Sequence, residues 1–170
     1  TVFPVNPKAD SIRTLKTYPT IGAVPDPVDM AVITVPKQHV LAVAEECGQA
    51  GVRGLTVISA GFREVGGEGV ERERQLMEVV HRHRMRMIGP NCMGLLNADP
   101  AVSMNATFAP SMPPFGRAGF VSQSGAMGLS VLDYAKEYGI GISQFVSMGN
   151  KPDVSGNDLL LGDAMGTPLQ

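Results

Sequence analysis

Four short apolar stretches without polar alternation divide the first half of the chain. They comprise residues 2–5, 28–35, 54–59 and 85–88. Strands that are buried on both faces of a sheet have this composition, whereas half-exposed strands alternate apolar and polar residues. The pattern therefore predicts four buried strands.

Amphipathic segments separate these stretches. Residues 39–51 and 69–84 carry apolar side chains at spacings of three and four, with polar or charged residues between them. This is the period of a helix that packs one face on a core. The apolar positions are Val40, Val43, Ala44 and Cys47 in the first segment, and Leu76, Val79 and Val80 in the second. Strands that alternate with such helices predict right-handed β-α-β units and a parallel, doubly wound α/β sheet.

The second half of the chain begins with a different composition. Residues 95–118 show no sustained period and contain four prolines, which predicts a linker between domains. After Gly116, the sequence indicates a strand, a tight turn, a helix and another strand, which form one more β-α-β unit. We therefore predict one domain over residues 1–115 and the opening unit of a second over 116–170, since so short a unit leaves its sheet edge exposed.

Composition excludes several functional classes. A net charge of −2 provides no basic face for nucleic acid or for an anionic membrane, and no apolar run approaches the ~20 residues of a membrane span. Cys47 and Cys92 stand far apart without a histidine cluster, so neither a disulfide framework nor a metal site is predicted. A reducing cytoplasm is the expected location.

Four loops follow the apolar stretches, and each is rich in small or hydrogen-bonding residues. They read NPK (6–8), VPKQ (35–38), SAGF (59–62) and GPNCMG (89–94). Ligands of open parallel sheets bind at the carboxyl ends of the strands, so one long ligand could lie across all four loops. Alternatively, these residue types only form the turns. Cys92 is a candidate reactive thiol, although no histidine lies near it in sequence to activate it.

The segment AGFVSQSGAMG (118–128) carries a second candidate site. A buried strand there runs into a turn with two serines and then into a helix. Unpaired N–H groups at a helix start can hold a phosphate; alternatively, Ser124 acts only as an N-cap that contributes ~1 kcal/mol. A hydrolase nucleophile elbow is disfavoured because no glycine stands two positions before Ser124. Of the three histidines, His81 and His83 indicate a solvated basic helix face, and His39 opens a helix.

Several segments in this order resemble the NDP-forming acyl-CoA synthetases. The segments are PVNPK, YPTI, PDPVDMAVITVP, GVRGLTVISAGF, MRMIGPNCMGLLN and GFVSQSGAMG. That family includes the α subunit of succinyl-CoA synthetase, the ADP-forming acetate–CoA ligases and the CoA-ligase-like region of bacterial protein lysine acetyltransferases. The resemblance implies a Rossmann-like CoA-binding domain followed by the start of a flavodoxin-like succinyl-CoA ligase domain.

The resemblance also implies a role for individual residues. Lys8 would contact a CoA phosphate, and the other implied CoA contacts are Val35 and Pro36 at the adenine and ribose, Ser59, Ala60, Gly61 and Phe62 further along, and Asn91 and Cys92 near the thiol end. The turn that would receive the phosphate of a phosphohistidine intermediate comprises Ser122, Ser124, Gly125 and Ala126.

The family reaction converts acyl-CoA, phosphate and ADP into the acid, CoA and ATP through an acyl phosphate and phosphohistidine. ADP or ATP and Mg²⁺ bind a separate ATP-grasp domain or subunit of that family. Its first strand and glycine-rich turn would precede Thr1, and its catalytic histidine would follow Gln170, so the chain alone is expected to be inactive. The alternative is a CoA- or acyl-CoA-sensing region of a protein lysine acetyltransferase. A nicotinamide-binding domain is disfavoured because its glycine fingerprint is absent from the sequence.

Overall fold

A computed structural model describes residues 1–159 of the chain. The strands are β1 (Ser11–Ile12), β2 (Leu15–Lys16), β3 (Met30–Ile33), β4 (Gly54–Val57), β5 (Arg86–Ile88), β6 (Gly94–Asn97), β7 (Met104–Thr107), β8 (Phe115–Ser122) and β9 (Ile142–Ser147). The α-helices are α1 (Lys37–Gln49), α2 (Glu68–Arg82) and α3 (Gly125–Glu137).

The first sheet is parallel and has the strand order β3-β4-β5. Helices α1 and α2 form the two crossovers, as the periodicity predicts. The core between helices and sheet contains the buried side chains of Val40, Ala44, Cys47, Leu55, Val57, Leu76, Val79 and Val80. The predicted α/β class with a parallel sheet is therefore confirmed.

The first apolar stretch does not become a sheet strand, which corrects the prediction for residues 2–5. Val5 forms only an isolated parallel bridge with Tyr18, through hydrogen bonds from Tyr18 N to Pro4 O (2.9 Å) and from Asn6 N to Tyr18 O (2.8 Å). Pro4 has no N–H group to extend a ladder. Between these two segments, β1 and β2 form a short antiparallel pair.

His83 differs from the predicted solvated helix face. It follows the last residue of α2, and its ring is half-buried beside Gly48 of α1. Its Nε2 lies 2.9 Å from Oε1 of Glu45, whose other oxygen accepts a 2.9 Å hydrogen bond from Arg82. Because α2 ends there, the ring of His83 turns toward α1 and joins the two helices.

The second sheet has the order β7-β6-β9-β8. Strands β8 and β9 are parallel and flank α3, which confirms the predicted β-α-β unit, while β6 pairs antiparallel with both β7 and β9. Residues 95–118 are therefore not the irregular linker that their prolines predict. Strand β6 is held by its neighbours, and its own sequence is too short to show a period. Leu96 of β6 packs with Phe145 of β9 in the core of this sheet.

A short segment after β9 joins the two sheets. The Asp153 carboxylate accepts hydrogen bonds from Met87 N (2.6 Å) and Arg86 Nε (3.2 Å), and Val154 N donates to Met87 O at 3.4 Å. Residues 153–154 thus cover the outer edge of β5. None of the helices within residues 1–159 has the length and apolar character that crossing a membrane would require.

Candidate functional site

Three of the four predicted ligand-binding loops are linked by hydrogen bonds at the carboxyl ends of the first sheet. Ser59 Oγ donates to Val35 O at 2.5 Å, and Asn91 N donates to Ser59 O at 3.0 Å. Val35 and Ser59 are half-buried and Asn91 is exposed. The loops after β3, β4 and β5 therefore form one continuous rim.

Pro36 and Lys37 bring the start of α1 into this rim. Pro36 occupies the position before the first helical residue, where the unpaired N–H groups and the positive end of the helix dipole lie. The alkyl chain of Lys37 lies close to Gly61: a Cβ on residue 61 would be 2.4 Å from Lys37 Cδ. Gly61 also has a φ of +102°. The left-handed φ favours glycine at this position, and the alkyl chain of the exposed Lys37 borders the rim.

Charged side chains hold the SAGF loop in place. The Glu64 carboxylate accepts hydrogen bonds from Gly61 N (2.5 Å) and Phe62 N (3.1 Å), and Arg72 donates to Gly61 O. Burial raises the pKa of Glu64, but hydrogen bonds from Asn150 and from these backbone groups outweigh it, so the pKa lies below its ordinary value. Phe62 itself is fully buried, so its side chain anchors the loop, while Ala60 is exposed on the rim.

Cys92 does not have the environment of a reactive thiol. It is buried, its Sγ donates to Val57 O at 3.3 Å, and burial raises the pKa of the thiol to about 11. At neutral pH the side chain is therefore protonated, whereas nucleophilic cysteines are thiolates. The candidate nucleophile of the sequence analysis is a packed core residue.

The turn between β8 and α3 has the geometry of a capped helix start. Ser124 Oγ accepts a 3.3 Å hydrogen bond from Met127 N, so Ser124 is the N-cap. The buried Ser122 accepts from Ser124 N at 3.1 Å and tightens the turn. The N–H groups of Gly125 and Ala126 fall in the first turn, where a helix supplies no partner. The cap therefore leaves the N–H groups of Gly125 and Ala126 without a helical partner.

The GPNCMG segment connects the rim with this turn. Asn91 belongs to the rim, whereas Met93 N donates to Ser147 Oγ at 3.0 Å at the end of β9. The Met93 side chain lies beneath the helix start, since a Cβ on Gly125 would be 3.6 Å from Met93 Cβ. Residues 91–93 thus contact both candidate sites.

Lys8 is the predicted residue that the structure does not connect to the rim. It is exposed, and its N–H donates to Asn6 Oδ1 at 2.9 Å within its own turn. His39 and His81 lie in the first turn of α1 and the last turn of α2. Across residues 1–159, no group of three or more His, Cys, Asp or Glu side chains is arranged to bind a metal ion.

Asn150, which the sequence analysis did not assign to a site, lies where the two sheets meet. Its side-chain N–H₂ donates to Glu64 and to Glu73 on α2, and its backbone N–H donates to Pro90 O at 2.9 Å. The sequence does contain an indication of this residue. Gly149 and Asn150 come shortly after β9, in the same way that the other polar loops come after their strands. Gly149 has a φ of +58°.

Two family sequence patterns match the chain. The CoA binding domain matches residues 1–98, and the succinyl-CoA ligase like flavodoxin domain matches residues 115–163. The first covers the parallel sheet and the rim, and the second begins at β8 and includes the capped turn. The two matches thus coincide with the two candidate sites.

Comparison with curated proteins and solved structures gives long matches. The chain is 46% identical to the ADP-forming acetate–CoA ligase I of Archaeoglobus fulgidus, over 94% of the chain and 23% of the relative. It is 44% identical to the α subunit of the ADP-forming acetate–CoA ligase I of Pyrococcus furiosus, over 94% and 35%. Dinucleotide-forming acetyl-coenzyme A synthetase 1 of Ca. Korarchaeum cryptofilum, solved with phosphate and ADP, superposes with a TM-score of 0.87 at 46% identity, over 93% of the chain and 33% of that protein. The chain thus spans about a quarter to a third of these proteins.

Proposed function

Because the chain belongs to the CoA binding domain family, and its second half matches the succinyl-CoA ligase like flavodoxin domain, we propose that it is the CoA-binding portion of an NDP-forming acyl-CoA synthetase. The observation that carries the proposal is the contact of one short segment, residues 89–94, with both the rim and the capped turn. A thiol ester bound along the rim and a phosphate bound at the turn would then be neighbours.

CoA would lie along the rim. Its chemistry fits the residues present, since the start of α1, Lys37 and Lys8 offer positive charge to phosphates. The thiol end would lie at Asn91 and Cys92, beside the backbone of the GPNC turn. The remaining proposed contacts are Val35, Pro36, Ser59, Ala60, Gly61 and Phe62, the last through its backbone.

A phosphoryl group would bind at the turn of Ser122, Ser124, Gly125 and Ala126. Two free N–H groups and the helix dipole favour an anion at this point. In the proposed reaction, phosphate attacks the thioester carbonyl and releases CoA as the thiol, and the acyl phosphate then passes its phosphoryl group to a histidine and releases the acid. The phosphohistidine finally transfers the group to ADP.

The other components are proposed to lie in the part of the relatives that this chain does not span. They are the histidine and an ATP-grasp domain or subunit that binds ADP or ATP with Mg²⁺. We place the boundary between residues 1–115 and 116–170 by the start of the second family match at residue 115; strands β6 and β7 precede this boundary in sequence but pair into the second sheet. A cytoplasmic location suits the two free cysteines.

The relatives do not favour a sensing role. The two curated relatives described above are ADP-forming acetate–CoA ligases, so we do not propose the acetyltransferase-associated alternative. Incubation of the 170-residue chain with acyl-CoA, phosphate and ADP should give neither ATP nor acid-labile phosphoprotein. Labelling that disappears on His39→Ala, His81→Ala or His83→Ala would overturn this placement of the catalytic histidine.

Calorimetric titration of CoA into the protein as its gene encodes it tests the proposed binding site. Lys8→Ala should weaken binding because a phosphate loses its counter-charge. Lys136→Ala, at the far end of α3, is the matched control and should bind as the wild type does. Equal affinity of all three proteins would remove Lys8 from the site, and no binding by any of them would refute the proposed function.

A further inference from the structure

We call the parallel sheet β3–β5 with helices α1 and α2 the first unit, and the sheet β6–β9 with α3 and the segment that follows β9 the second unit. The side chain of Asn150 joins two carboxylates of the first unit. Its Nδ2 donates to Glu64 Oε2 at 2.6 Å and to Glu73 Oε2 at 2.8 Å. Glu64 stands in the turn after the SAGF loop, and Glu73 lies on α2. Both hydrogens of the amide are therefore used, one for each carboxylate.

The remaining polar atoms of Asn150 reach the GPNC turn. Its backbone N–H donates to Pro90 O at 2.9 Å, and its Oδ1 lies 3.5 Å from Asn91 Nδ2. Glu64 meanwhile holds the N–H groups of Gly61 and Phe62. One residue of the second unit thus restrains both the SAGF loop and the GPNC turn.

Charge and burial favour a donor without negative charge at this position. Glu73 is only 1% exposed, and Arg63 Nε lies 2.8 Å from its Oε1, paired in charge but not aligned for a hydrogen bond. Loss of the amide would leave a buried carboxylate oxygen without a donor, which is costly. A carboxylate in place of the amide would instead add a third negative charge beside Glu64 and Glu73, and neither oxygen could donate.

We propose that Asn150 is a positioning residue that holds the SAGF loop and the GPNC turn in their CoA-binding arrangement, so that CoA affinity depends on the docking of the second unit. The consequence for CoA rests on the proposed function, whereas the restraint on the loops does not. The charged groups around the amide are Glu64 and Arg63 after the SAGF loop, Glu73 and Arg72 on α2, and the adjacent Lys151.

The variants are Asn150→Ala, Asn150→Asp and the control Asn157→Ala, an exposed amide a few residues further along, all in the protein as its gene encodes it. Hydrogen exchange at Gly61 and Phe62 should accelerate about tenfold or more in both Asn150 variants. CoA affinity should fall by a similar factor in Asn150→Ala. Neither quantity should change in the control.

Asn150→Asp supplies a readout that general loss of stability would not produce. Two neighbouring carboxylates raise the pKa of a third, so the new carboxyl should take up a proton on acidification and again donate a hydrogen bond. Its CoA affinity should therefore recover toward the wild-type value between pH 8 and pH 5.5, relative to the wild type measured at each pH. If Asn150→Ala does not fold, Asn150→Asp alone tests the proposal.

The outcomes separate the two claims. Unchanged exchange at Gly61 and Phe62 in both Asn150 variants would overturn the positioning role, as would a CoA affinity of Asn150→Asp that shows no recovery at low pH. Accelerated exchange together with no CoA binding by the wild type would support the restraint and refute the proposed function.

Discussion

Gly149→Ala should loosen the junction between the two units. Gly149 has a φ of +58°, and a Cβ there would lie 2.2 Å from Pro90 O and 2.6 Å from Asn91 O. Both are backbone atoms and cannot rotate away as a side chain could. The alanine methyl group must therefore push the loop after β9 away from the GPNC turn.

The expected free-energy cost has two parts. A left-handed backbone conformation costs a residue with a Cβ roughly 1–2 kcal/mol, and forced overpacking typically adds about 1–3 kcal/mol. Gly139→Ala is the matched control, because Gly139 has a φ of +67° but a Cβ there would meet no atom within 4 Å beyond its chain neighbours. It should show only the conformational part, so the difference between the variants is about 1–3 kcal/mol, or about 5- to 150-fold in an opening equilibrium.

Amide hydrogen exchange measures this equilibrium locally. In Gly149→Ala, the amides of Met87, Asn150 and Val154, which bond across the junction, should exchange faster by the factor above than in Gly139→Ala. Amides in the centre of β4 should change little in either variant. Equal exchange at the junction in the two variants would refute the close approach of Gly149 to the GPNC turn.

Three further predictions concern the first unit. Gly48→Ala should destabilise the protein by roughly 1–2 kcal/mol in urea unfolding, because the new Cβ would lie 2.2 Å from the ring of His83. This loss outweighs the better helix propensity of alanine. Adding His83→Ala to Gly48→Ala should reverse the loss. Cys47 and Cys92 are buried, and burial raises the pKa of each thiol to about 11. A thiol reagent at pH 8 should therefore label them only after unfolding. The free energy of unfolding should fall as the pH rises from 9 toward 11, because the thiols of the unfolded chain lose their protons first. The pKa of Glu64 is lowered in the folded protein, so its contribution to stability is present above its unfolded pKa and is lost as the pH falls through the folded pKa; Glu64→Gln should flatten this acid-side decline.

Local periodicity predicts the elements that owe their burial to their own sequence. The helical spacing of Val40, Ala44 and Cys47 marks the face of α1 that packs on the sheet. Strands β6 and β7 lack such a signal because their stability comes from pairing, as between Leu95 and Val146. Residues 2–5 show the opposite case. Their apolar sequence predicts a strand, but no neighbouring strand within residues 1–159 pairs with them beyond the single bridge to Tyr18.

Some residues of the candidate site are likewise predictable from the sequence, and others are not. Val35, Ser59 and Asn91 are predictable because each follows a strand of one parallel sheet, and the rule that such ends meet at one edge requires no further information. Asn150 is not predictable to this degree. Its importance comes from Glu73, a buried carboxylate on a helix of the other unit, and only the folded chain shows that the two meet.

The juxtaposition of the two sites gives the proposed function its support, since each motif alone is ambiguous. A capped helix start is common without any phosphate, and polar loops at strand ends are common without any cofactor. Here Asn91 lies on the rim and Met93 under the capped turn, so the residues that contact the two sites are only two Cα–Cα steps of ~3.8 Å apart along the chain. Acyl transfer requires reacting atoms about 3–3.5 Å apart, so under the proposed function the thioester carbonyl and the phosphate would meet beside Cys92, between the rim and the capped turn.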